Sequence, residues 1–102
     1  MTVLKVLDYT KHCHTSDDGD KILHAVLPYL QRGQDVCLDF QGVVSGVPSS
    51  FVNGAFVSLL DHGITYDVIK KHLKLVNSHS QLNRLAKERV QKAAGILEFE
   101  KA

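Results

Sequence analysis

The stretch from Gln34 to Asp61, QDVCLDFQGVVSGVPSSFVNGAFVSLLD, holds three unlike segments. Val36, Cys37, Leu38 and Phe40 make a short run, apolar on both faces apart from Asp39, which is the pattern of a parallel strand covered on both sides. Gln41 to Pro48 is a polar loop containing Gly42, Gly46 and Pro48. From Ser49-Ser50 onward, Phe51, Val52, Ala55, Phe56, Leu59 and Leu60 recur at helical spacing and draw one apolar stripe, with Gly63 as the stop. A serine suits the cap of such a helix, because its oxygen accepts from a backbone N–H that otherwise lacks a partner. Strand, loop, hydroxyl and helix, in that order, put two serines at a helix start on the end of a central strand. Ligands and partners of α/β sheets usually meet that edge.

Upstream, Val3, Leu4, Val6, Leu7 and Tyr9 predict a first strand over Thr2 to Thr10. Thr15-Ser16-Asp17-Asp18 predicts a helix start, with a cap and acidic residues in the first turn, and Ile22, Leu23, Val26, Leu27 and Leu30 supply its stripe. Pro28 predicts a kink or an early end, and Gly33 closes the element. Downstream, Ile64 to Lys71 reads either as a short helix capped by Thr65 or as a strand. Leu73, Leu75 and Val76 mark a strand, Asn77 to Ser80 a loop, and Leu82, Leu85, Ala86, Val90, Ala93, Ala94 and Leu97 one side of a last helix. The order is β-α-β-α-β-α, a single α/β domain over residues 1–102. Right-handed crossovers would set its strands side by side in a small, mostly parallel sheet, with three helices covering it.

A chain of 102 residues can build one core. Twelve basic against eleven acidic residues leave a formal charge of +1, which gives no net pull toward nucleic acid or an anionic membrane. No apolar run approaches the roughly 20 residues of a membrane span, and the start lacks signal-peptide character, so a cytoplasmic protein is expected. Arg84, Lys87, Arg89 and Lys92 have no interleaved aromatics and are split by Glu88, so they read as a solvated helix face without direct nucleic-acid binding.

Cys37 reads as a small buried hydrophobe. Cys13 lies between His12 and His14; the two histidines can share a face, but two ligands without a third make a poor metal site. No metal or cofactor is expected. Ser49 and Ser50 lack a nucleophile-elbow motif and a base tied to them in sequence, and Gly42 and Gly46 lack the Lys-Ser/Thr of a phosphate loop. A non-catalytic protein is therefore expected. Asp39 either hydrogen-bonds neighbouring backbone at its strand end or contributes to a site near Ser49.

Asp18-Gly19, then Val36-x-Leu38-Asp39-Phe40-x-Gly42-Val43, then Ser49-Ser50-Phe51-x-Asn53-x-Ala55-Phe56 resemble the bacterial STAS-like domain family of unknown function. That family is a relative of the sulphate-transporter and anti-sigma-factor-antagonist (STAS) domains, and the resemblance runs from about Asp17 to the last helix. It implies a regulatory, signalling module that binds a protein partner supplied in trans, either an ATPase of the histidine-kinase fold or a DNA-binding regulator. In the antagonists, the first serine of an Asp-Ser-Ser-Gly sequence is phosphorylated by the partner kinase. Ser49 matches that serine, whereas the single serine before Phe in the STAS-like family matches Ser50. Pro48 stands where the aspartate would be and Phe51 where the glycine would be. The implied contact surface is Asp39, Gly42, Pro48, Ser49, Ser50, Phe51 and Asn53. The other reading is a small-ligand or nucleotide site at the helix N-terminus of Ser49-Ser50.

Overall fold

Val36–Asp39 forms β2, the middle strand of a three-stranded sheet in which every pairing is parallel. Thr2–Lys5 (β1) lies on one side, with Thr2 opposite Val36, and Leu73–Val76 (β3) lies on the other, with Val36 opposite Leu73. The computed structural model describes residues 2–43 and 46–95. Ser16–Gln31 is α1, Ser49–Ala55 is α2, Tyr66–His72 is α3 and Ser80–Ala93 is α4. Among the described residues four helices therefore accompany the sheet where the sequence predicts three, because Thr65 does cap a short helix: its hydroxyl accepts from the Val68 N–H at 3.3 Å.

The first strand ends at Lys5, well short of Thr10, and Val6–Asp8 winds into a 3-10 turn. Strand β2 itself stops at Asp39, so residues beyond Lys5 have no neighbour to pair with. Pro28 does not end α1, which continues to Gln31. Pro28 is exposed and sits in the last turn, where only one carbonyl loses a helical donor. Gly33, at φ +68°, then reverses the chain, with the Gln34 N–H closing onto the Tyr29 carbonyl at 2.9 Å. The second helix tightens to 3-10 geometry over Val57–His62 before Gly63 stops it at φ +84°. The Ser58 hydroxyl donates to the Asn53 carbonyl at 3.0 Å, diverting an oxygen at the point where the α-helix gives way.

One core unites the elements: Leu4 from β1, Val36 and Leu38 from β2, Ile22, Leu23 and Val26 from α1, Phe51, Val52 and Ala55 from α2, Ile69 from α3 and Leu82 and Val90 from α4. Each fully buried large apolar side chain contributes on the order of 2 kcal/mol. Ala93 and Ala94 are exposed, so the apolar side of α4 ends near Val90. Leu97 lies outside the described residues.

All of those strand residues belong to one face of the sheet. The other face carries Val3 and Lys5, Cys37 and Asp39, Lys74 and Val76, and of these only Cys37 is buried. The apolar run of β2 thus does not mean cover on both sides. Cys37, at 4% exposure, is hidden without belonging to the core cluster, a small side chain between the larger ones of the two flanking strands.

Candidate functional site

Because all three strands run the same way, the segments that leave them emerge at one end, and α1, α2 and α4 start from those segments. Three contacts tie this end together. The Asp39 carboxylate accepts from Asn77 Nδ2 at 2.8 Å and from the Gln41 N–H at 2.9 Å, joining the exits of β2 and β3. Gly42, at φ +91°, completes a turn closed by the Val43 N–H on the Phe40 carbonyl at 3.0 Å. A Cβ there would stand 2.9 Å from Leu7 Cδ1. Ser50 Oγ donates to the His14 carbonyl at 3.1 Å, joining the start of α2 to the turn before α1.

The start of α1 is the best-built part. Thr15 caps it, its hydroxyl accepting from the Asp18 N–H at 3.1 Å, while Asp18 Oδ2 accepts from the N–H groups of His14 and Thr15 at 3.0 and 3.2 Å. The hydrogen bond from His14, reinforced by those from Thr15 and Thr10, holds the Asp18 carboxyl below its ordinary value. Asp39 is held low in the same way, first by Asn77, then by Gln41 and the nearby charge of Lys5. His12 and His14 stack with ring centroids 5.3 Å apart, as their shared face requires. Cys13 turns inward, and burial followed by the Asp18 charge pushes its thiol to about 11, so it stays protonated near neutrality. Among the described residues no three His, Cys, Asp or Glu side chains are grouped to hold a metal.

The serines divide. Pro48, not a serine, is the N-cap of α2 and gives no side-chain cap; Ser49 and Ser50 are already helical. Their hydroxyls cannot reach forward as a cap would, because a capping side chain needs the extended backbone that Pro48 has taken. Ser49 is half-buried, whereas Ser50 is exposed and donates to the His14 carbonyl. Phe51 offers nothing to a partner: it is 0% exposed and packs edge-on against Phe56 with centroids 6.5 Å apart. Asn53 is exposed. Pro48 lines a groove of about 550 Å³ with Gly46, Val47, His79, Arg84 and Leu85. Asp39 acts as the latch between strand exits, and Gly42 sits against Leu7, so neither reaches the serines through a direct contact.

Two glycines fix the serines in place: Gly19, quoted from the sequence only as part of the family motif, and Gly54, which the sequence reading passed over. A Cβ on Gly19 would run into the Phe51 carbonyl oxygen and stand 2.7 Å from the Ala55 nitrogen; one on Gly54 would meet the Ser16 carbonyl oxygen. Helices α1 and α2 therefore cross backbone to backbone, and this closeness brings Ser50 to His14. Glycine inside a helical pattern costs roughly 1 kcal/mol against alanine, which was the available signal that packing demanded it.

A small parallel sheet with the described helices packed on one face and a hydrogen-bonded cluster of loops at the strand exits is a compact α/β domain. The family model of the STAS-like domain of unknown function matches residues 18–82, and the chain belongs to that family. The match takes in α1 from Asp18 onward, all of the β2-to-α2 segment, α3, β3 and the start of α4. No curated protein and no solved structure matches the chain. Among the described residues no helix is long and apolar enough to cross a membrane.

Proposed function

We propose that this domain is a non-catalytic regulatory module whose α1–α2 start surface meets a protein partner in trans, and that phosphorylation of Ser50 switches the contact. The partner class is the one the family resemblance implies, an ATPase of the histidine-kinase fold or a DNA-binding regulator. The observation that carries this reading is the position of Ser50: an exposed hydroxyl, in the first turn of α2, whose proton is the tie to His14. In the reaction a terminal phosphoryl group of ATP passes to Ser50 Oγ, the O–P bond replaces the O–H bond, and ADP and a proton leave. The phosphorylated oxygen can no longer donate to the His14 carbonyl. The added charge of about −1.5 to −2 also falls beside His14, whose N–H donates to the Asp18 carboxylate. The core is untouched, so the phosphoryl group alters the surface and leaves the fold intact.

Mass spectrometry of the protein purified from its native cells tests this, together with capture from lysate by wild type, Ser50→Asp and Ser50→Ala. A phosphoryl group on Ser50, and an ATPase or DNA-binding protein retained by Ser50→Ala but released by Ser50→Asp, is the expected result. Equal capture by all three chains with no modified serine overturns the switch. The anion-site alternative rests on α2 alone, a helix of seven residues, and no further observation favours it.

A further inference from the structure

All-parallel sheets are almost always covered by helices on both faces, because the crossovers that join parallel strands lay helices against them. Here none of the helices among the described residues lies on the second face. The large hydrophobic residues that are exposed among the described residues are Val3 (56%), Leu7 (40%), Tyr9 (43%) and Val76 (41%). Val3 and Val76 lie on that face, and Leu7 and Tyr9 follow directly from β1 at its strand-exit rim. Exposed apolar residues scattered singly need no explanation, but two on one open sheet face with two more at its rim make that face a candidate for interaction.

The register gives this face a pattern. Val3, Cys37 and Lys74 make one row across the three strands, and Lys5, Asp39 and Val76 the other. An apolar diagonal therefore runs Val3–Cys37–Val76, with Lys74 at one side of it and Lys5 at the other. Neither lysine forms an ion pair among the described residues, although Lys5 lies near enough to Asp39, and Lys74 to Asp35, to lower those carboxyls. The face's acid, Asp39, is already engaged by Asn77 and Gln41.

We infer that this open face binds an amphipathic helix of a partner protein, one whose apolar stripe is bordered on both sides by Asp and Glu. A helix is the element that covers a parallel sheet face, and acidic borders answer the lysine on each side of the diagonal. A partner strand would instead pair at the edges of β1 or β3. A second copy of this chain would bring together two faces that are each net positive, with Lys5 and Lys74 outnumbering Asp39. The inference is independent of Ser50, which lies on the helix side of the domain.

The test is a display selection of helical peptides on the full chain, with counter-selection against the Val3→Thr/Val76→Thr variant. Threonine keeps the β-branched shape, and an unchanged thermal melt confirms the fold. The expected peptides carry apolar residues at i, i+3 or i+4 and i+7, with Asp and Glu alongside, and bind the variant about tenfold or more weakly. They shift the methyl resonances of Val3 and Val76 and leave those of Leu38 and Leu75 in place. Selection on Lys5→Glu/Lys74→Glu then turns the preference to basic borders. Enrichment of alternating strand sequences, borders indifferent to the lysine reversal, concentration-dependent self-association that V3T/V76T abolishes, or no peptide that separates wild type from V3T/V76T overturns it.

Discussion

The two sides of the helix layer are packed by opposite means. On the α1–α2 side, Gly19 and Gly54 bring backbones together so closely that no Cβ fits. On the α3–α4 side, Phe56, Tyr66, Ile69, Leu75, Ala86 and Val90 leave a groove of about 320 Å³, rimmed by Lys70 and Lys87. The first side is held by shape and the second by area. Shape-held contacts transmit any displacement, and the residues tied across them, Ser50 and His14, inherit that stiffness.

The largest expected effect would break this contrast. Gly19→Ala or Gly54→Ala raises helix propensity yet should destabilise by about 3 kcal/mol, because the contacted atoms are backbone and cannot move aside. Chemical denaturation measures it, and a stabilised variant would mean that the two sides are packed alike. The capped and uncapped helix starts give the next test. Thr15→Ala should cost about 1 kcal/mol, whereas His79→Ser should gain a similar amount, since His79 provides no side-chain cap for α4. Thermal melts of the two variants should move in opposite directions.

The third test is pH. Asp18, Asp35 and Asp39 all have folded values below the ordinary 3.8, Asp35 chiefly through its bond from His72 Nδ1 at 2.7 Å. Their contribution is therefore complete above about pH 4 and lost as pH falls through the folded values. Asp18→Asn should flatten the acid limb of stability against pH, most visibly by weakening the α1 start. The smallest effect belongs to the groove: Ala86→Leu, pointed at open volume, should change stability by no more than about 1 kcal/mol, where comparable bulk at Gly54 is ruinous.

Much of this was legible beforehand. The run Val36 to Asp39, flanked by loop and helix signals, marked the central strand, and Thr15 with Asp18 marked a capped helix, because both patterns are local. Asp39 resolved into the backbone-bonded strand end, with Asn77 as the partner that local sequence could not supply. Ser49 and Ser50 were placed at a helix start, but Pro48 took the cap position and the hydroxyl of Ser50 found a carbonyl thirty-six residues away. Contacts of that kind follow from tertiary closeness and leave no periodicity. The open sheet face was misread for a related reason: Cys37 is apolar and concealed, and concealment by neighbouring strands looks in sequence like burial under a helix.

The parallel register has a kinetic consequence. Thr2 pairs with Val36, and Val36 in turn with Leu73, so neither edge of the sheet can form from neighbours in sequence. Strand β1 leaves the ribosome before α1 and β2 and has no strand of this sheet to pair with until they have followed it. Folding must therefore close long loops before any ladder rewards them, which slows it relative to a helical domain of the same length. The α1 helix, carrying its own cap and stripe, is the segment able to form early and hold β1 and β2 within reach of each other while the sheet assembles.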